Sequence, residues 1–193
     1  MKYTKLPTNT FQQIQINAGV IASTFNASTG ALTQSDIIGA TSGGINFTAT
    51  PTFNDMGEDI DNCPKNTKEL KQIESWEAKM TGTFVTVTTS VAQKLLGAAT
   101  VATNKVTPKA DLATSDFADL WFVGDYSDKT GDQNGGFVAI HLINALSTGG
   151  FQLQTTDRSK GQFEFEFTAH YSTSDTTVPF EIYIKAGTAE PNS

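Results

Sequence analysis

The chain has one cysteine, two histidines and no apolar run approaching the roughly 20 residues that a membrane-spanning helix needs. Cys63 alone excludes an intramolecular disulfide and points to a reducing compartment. His141, His170 and Cys63 are scattered, so no zinc-ligand spacing exists. Basic residues are also scarce. Thirteen Lys and Arg stand against 20 Asp and Glu, the formal net charge is −7, and the cations form no cluster. That opposes non-specific binding to nucleic acid or anionic membrane, where Lys and Arg neutralising phosphates supply most of the affinity. The opening MKYTKLPTNT carries a little positive charge but no apolar segment behind it, unlike a signal peptide. The expectation is a protein that is soluble and intracellular when made.

Threonine is plentiful instead, at 29 of 193 residues, while hydrophobic residues make up only 38%. A β-branched polar side chain suits a pleated surface with one wet face. The composition shows no break, so residues 1–193 are expected to form a single domain. Its ends, about 1–8 and 187–193, are expected to be mobile. A chain of this length buries roughly 70% of its unfolded surface and can hold its own core.

Alternation predicts the strands. Residues 11–22 place Ile14, Ile16, Ala18 and Val20 on one parity, and residues 31–38 offer a second short strand. After a glycine-rich break at 39–44, Ile45, Phe47, Ala49 and Phe53 alternate with polar residues. Pro51, lacking an N–H, assigns that strand to an edge or its end. Residues 54–68 form a long polar loop. Residues 70–89 read as a strand with Trp76, Ala78, Met80 and Gly82 on one parity. Thr83, Val85 and Val87 take the other, which predicts a bulge near Gly82 or a strand that passes from one packing environment to another. Ser90, three residues before Gln93, has capping-box spacing and predicts a two-turn helix ended by Gly97. Further strands follow at 120–124, 137–146, 151–155, 163–168 and 178–185, with a reverse turn at Asn134-Gly135.

The search for chemistry finds little. No nucleophile elbow or comparable motif accompanies His141 or His170, so both are expected to be structural. The GATSGG stretch at 39–44 lacks the Lys-Ser/Thr ending of a phosphate loop and precedes a strand rather than a helix. Asp125, Asp128, Asp132 and Asn134 miss the EF-hand register, with no closing Glu. No catalytic residue, metal or cofactor is expected. The 54–68 loop, with Asn54, Asp55, Glu58, Asp59, Asp61, Lys65 and Lys68, reads either as a solvated loop or as a contact arm. Phe163, Phe165 and Phe167 face a core with Trp76 and Trp121, which sends Glu164 and Glu166 out of the opposite face.

Several runs together resemble the major tail tube proteins of long-tailed, siphovirus-type bacteriophages of Gram-positive bacteria. They are DLWFVGD at 119–125, NALSTGGF at 144–151, GQFEF at 161–165, TAHYS at 168–172 and VPFEIYI at 178–184. Leu6-Pro7, NAGV at 17–20, MGEDIDN at 56–62 and Trp76 leading into the helix agree, so the resemblance covers about residues 6–186. It implies a mainly β fold, a sandwich of two antiparallel sheets with one short flanking helix; an extra immunoglobulin-like domain of the sort some relatives append at the C-terminus is not expected in these residues. It also implies hexameric rings stacked into a hollow tube in the virion tail, built from subunits made in the host cytoplasm. The tape measure, tail terminator and distal tail proteins would be its partners, and DNA would pass through without specific binding. On this reading Glu164 and Glu166 line an acidic lumen, and the 54–68 loop reaches a neighbouring subunit or ring. Two rivals remain: the inner tube of a contractile or secretion-type injection machine, and a carbohydrate-binding β-sandwich displaying exposed aromatics.

Overall fold

The computed structural model describes residues 17–125, 136–174 and 177–186. Among them the strands are β1 (Val20–Ala22), β2 (Ile37–Gly39), β3 (Thr41–Asp55), β4 (Lys71–Phe84), β5 (Ala99–Ala102), β6 (Lys105–Pro108), β7 (Ala118–Asp125), β8 (Phe137–Ser147), β9 (Phe163–Thr168) and β10 (Phe180–Lys185). One α-helix, α1 (Thr89–Leu96), follows β4. Every strand pairing is antiparallel. The fold is mainly β, as the sequence predicts.

Two sheets share one strand. The first runs β2-β1-β7-β8-β10, and the second runs β3-β4-β9 and meets the end of β8. Residues 137–142 of β8 pair with β10 and β7, whereas Leu146 and Ser147 pair with Thr168 and Phe167 of β9. The strand turns between them at Asn144, whose φ of 50° lies in the left-handed region that Asn tolerates better than most residues. Asp119 accepts the Asn144 N–H at 3.0 Å, and His170 Nδ1 donates to the Asn144 carbonyl at 3.2 Å. His170 is therefore a corner brace, its ring set nearly perpendicular to that of Phe117 with centroids 5.2 Å apart.

The core lies between the sheets. Ala78, Met80 and Phe84 of β4 and the three phenylalanines of β9 meet Leu120, Ile140, Leu142 and Ala145, with Val91 and Leu95 of α1 closing one end. Each fully buried large side chain contributes about 1.5–3 kcal/mol, so the period-2 burial of β9 is a strong determinant of register. A smaller cluster of Val123, Phe137 and Ala139 sits on the other face of the first sheet.

Several sequence expectations need correction. β4 keeps one parity through Phe84, and the irregularity lies in its partner, where Gly43 and Gly44 bulge out of β3 between Ser42 and Ile45. Both have positive φ, which glycine adopts without cost from a Cβ. Gly82 has a different reason: a Cβ there would lie 2.6 Å from the Phe165 ring. Ser90 is not the helix cap. Thr88, extended at φ −123°, caps α1 by accepting the Val91 N–H at 3.2 Å, which leaves Ser90 and Gln93 within the helix. Thr88, Thr89 and Ser90 can all cap, and the register chosen is the one that buries Val91 and Leu95. Gly97 does end the helix, at φ 74°. Residues 34–36 form a 3-10 turn before β2, and 151–155 contribute only the Gln154–Gln162 bridge. The β5–β6 hairpin beside α1 has no counterpart among the predicted strands. Of the expected 11–22 strand only Val20–Ala22 forms, and residues 17–19 are not strand; residues 11–16, the Asn134-Gly135 turn, Asp128, Asp132 and both expected mobile ends fall outside the described residues.

Candidate functional site

The outer face of the second sheet is polar throughout. On β9, Glu164 and Glu166 project opposite the buried Phe163, Phe165 and Phe167, and they stand across from Thr83 and Thr81 of β4. Glu77 and Lys79 continue that face on β4, and Asn46, Thr48 and Thr50 of the paired β3 carry it outward. Glu77 ion-pairs with Lys79, and the hydrogen bond and charge of Glu77, followed by the charge of Glu166, hold the ammonium above its ordinary pKa. Glu166 accepts the Thr148 hydroxyl at 2.8 Å, which also lies 2.8 Å from the Thr168 hydroxyl. Three carboxylates thus share the surface with one ammonium, which is already paired. Such a face presents acceptors and negative charge and offers a phosphate almost nothing to bind.

The β3–β4 hairpin extends beyond this sheet as an arm. β9 pairs β4 only from Lys79 to Phe84, and the Ala169 N–H adds one bond to the Ala78 carbonyl at 3.0 Å. The Trp76 N–H donates to the Tyr171 hydroxyl at 2.7 Å, after which β4 is paired with β3 alone. β3 is an edge strand, which accommodates Pro51. Pro51 pairs with Trp76, and Trp76 itself is half-buried with its ring 5.5 Å from Phe180.

Residues 56–70 form an ordered tip. Its base closes through the Met56 N–H and Leu70 carbonyl at 3.0 Å. The Asp55 carboxylate accepts the Gly57 N–H at 3.0 Å and the Asn66 N–H at 2.9 Å. Those bonds, Asn66 first, hold its pKa below the ordinary value, with Lys71 and Lys65 adding to the effect. Asn62 and Asn66 take left-handed conformations within the tip. Of the sequence-predicted arm residues, Asn54 and Asp55 end β3, whereas Glu58, Asp59, Asp61, Lys65 and Lys68 are exposed on the tip. Apolar side chains are exposed with them: Phe53 50%, Met56 55%, Ile60 51% and Ile73 52%.

Trp121 lies on the far face of the first sheet, half-buried, stacked flat on His141 with centroids 4.0 Å apart and flanked by Phe25 and Tyr183. His141 bridges three strands, with Nε2 3.1 Å from Asp119 Oδ2 on β7 and Nδ1 3.5 Å from Glu181 Oε2 on β10. The Nε2 contact is close enough for an ion pair but is not aligned as a hydrogen bond. Sequence reasoning missed this constellation because only the β7-β8-β10 register brings its members together. Among the described residues no group of three or more His, Cys, Asp or Glu side chains could hold a metal ion, and no helix is long and apolar enough to cross a membrane.

A cavity of about 240 Å³ lies between α1 and the β7–β8 pair. Ser90, Gln93, Lys94 and Gly97 line it at helical i, i+3, i+4, i+7 spacing, so one helix face forms its wall. The Gln93 side chain is engaged, donating to the Ala99 carbonyl at 2.9 Å, and the Ser147 hydroxyl donates to the Leu95 carbonyl at 2.7 Å.

No protein-family model matches the sequence, and no curated protein matches it. Solved structures that resemble the fold across most of the chain include the following two. One is the virion of a native gene transfer agent particle, at 8% identity and TM-score 0.43, covering 88% of this chain and 96% of that one. The other is the tail of an empty gene transfer agent particle from helical refinement with C6 symmetry, at 9% identity and TM-score 0.40, with the same coverage. Likeness of this degree is too distant to bear on what this chain does.

Proposed function

We propose that this chain is a structural subunit of a phage-type tail tube and that its work is mechanical rather than catalytic. The observation that carries this reading is the outer face of the second sheet, where Glu77, Glu164 and Glu166 outnumber Lys79 among threonines. A surface of this kind lets a polyanion slide past, because each phosphate is repelled rather than captured. The sequence resemblance to tail tube proteins supplies the architecture: six subunits to a ring, rings stacked, and this face turned to the lumen.

Two further features agree with a part made for assembly. Among the described residues the sheets end in open edges at β2, β10 and β3, and an open edge is a liability unless a neighbour pairs with it. β10 exposes Ile182 and Ile184, the latter at 70%, and the arm carries its own exposed apolar side chains. On this reading the arm reaches a neighbouring subunit or ring. The tape measure, terminator and distal tail proteins are the partners implied by the resemblance, in a virion tail built from subunits made in the host cytoplasm. Negative-stain electron microscopy of concentrated protein tests the proposal. Six-fold rings or stacked tubes are expected, and amorphous or asymmetric association at every concentration would overturn it.

A further inference from the structure

The junction between the sandwich and the arm is confined to a few residues. β9 pairs with β4 up to Lys79, and the Ala169 N–H adds one bond to the Ala78 carbonyl. The chain then turns away, and the His170 N–H bonds the Ile143 carbonyl of β8 at 3.2 Å. The next group that β4 offers on that side is the Trp76 N–H, because alternate residues of a strand present their backbone groups to the same edge. The Tyr171 hydroxyl meets it at 2.7 Å, so one side chain continues the pairing of β4 by a single bond after the third strand has left.

Beyond that bond the support ends. Trp76 and Ser75 are half-buried, whereas residues 71–74 of β4 and 52–54 of β3 are all exposed. The ladder is irregular at the same place. Thr52 pairs with Ser75 and Phe53 with Ile73, which leaves Glu74 as an extra residue in β4. A bulge bends its strand and strengthens the local twist, and hinges are built from a few residues that absorb a change in backbone angle. The tip beyond is tied to itself by the Asp55 carboxylate, so the arm turns as a unit about the place where its ribbon begins.

We propose that Tyr171 is the stop that fixes the angle at which the arm leaves the sandwich, so that the tip is already aimed when it meets a second copy. The inference rests on the reading that the arm makes such a contact. Trp76 secures the junction through its ring, 5.5 Å from that of Phe180, and Tyr171 secures its backbone from the β9 side. Without the hydroxyl the ribbon is free to swing about Glu74 and Trp76. An arm aimed beforehand loses less freedom on docking, which strengthens association without adding a contact. Tyr171 is 47% exposed, so water replaces its hydroxyl readily, and the bond positions the arm while contributing little to global stability.

Tyr171→Phe removes the hydroxyl and keeps the ring, which makes it the direct test. In the unassembled full chain, amide residual dipolar couplings give the orientation of residues 52–54 and 71–74 relative to β8 and β9. Wild-type couplings should fit one rigid body. In Tyr171→Phe the arm couplings should shrink, while those of β8 and β9 and the melting temperature keep their wild-type values. The Trp76 amide should exchange roughly two- to tenfold faster, and assembly should need several times more protein. Wild-type arm couplings that are already averaged, or a variant whose arm still fits the body, overturn the proposal. So does a lower melting temperature with loosened couplings in β8 and β9, which would make Tyr171 a general brace. If replacing the tip abolishes assembly while Tyr171→Phe assembles as the wild type does, the aiming role fails and the arm reading stands. If tip replacement leaves assembly intact, the arm reading itself fails, and the aiming role with it.

Discussion

The Thr88 hydroxyl, 3.2 Å from the Val91 N–H, shows how a single side chain decides where a helix begins. Removing it in Thr88→Ala should cost about 1 kcal/mol in urea unfolding. Ser90→Ala, inside the first turn, should fall within about 0.5 kcal/mol of wild type. An equal loss at Ser90 would restore it as the cap. Asp55 makes a pH-dependent prediction. Its folded-state pKa lies below the ordinary 3.8, so its contribution is complete above the unfolded value and is lost as pH falls through the folded one. Hydrogen exchange at the Gly57 and Asn66 amides should therefore accelerate toward acid, relative to strand amides. Asp55→Asn should exchange faster at neutral pH and show little further acid dependence. Glu164 and Glu166 were legible at this scale because three alternating phenylalanines leave their neighbours only one direction to point. The cap was not, because three adjacent residues could each serve and only the burial of Val91 and Leu95 chose between them.

Among elements, the β3–β4 hairpin and the corner of β8 matter most. Replacing the tip residues 57–69 with a short turn should leave a folded monomer with an unchanged far-ultraviolet spectrum that does not stack. Tubes of normal length from that variant would refute a stacking role for the arm. The corner depends on His170, whose Nδ1 and N–H both bond residues of β8. His170→Ala leaves the Asn144 carbonyl without that partner and should cost about 1–3 kcal/mol, with exchange increased at 143–147. Alternation made β8 and β9 readable, and Pro51 made the edge position of β3 readable. The sharing of β8 between sheets was not, since it depends on a left-handed Asn144 and on pairing with residues 20 and 22 positions away. The apparent parity change after Gly82 misled for a related reason: the strand simply ends at Phe84, and the bulge belongs to glycines 38 or 39 positions earlier in its partner.

For the whole molecule, the proposed assembly gives these features a common purpose. On the proposed reading, a polar acidic face, sheet edges open among the described residues and a projecting arm are those of a wall segment of a conduit. Composition showed the chain to be rich in Thr and acidic, as suits β-sheets with polar faces. Neither composition nor periodicity could say which sheet face is inside a tube, because that depends on neighbours the sequence does not mention. The most direct test is a helical reconstruction of tubes formed by this chain. The account predicts Glu164 and Glu166 of every subunit on the lumen wall, with Phe163, Phe165 and Phe167 behind them. Placement of both carboxylates on the outer surface would contradict it.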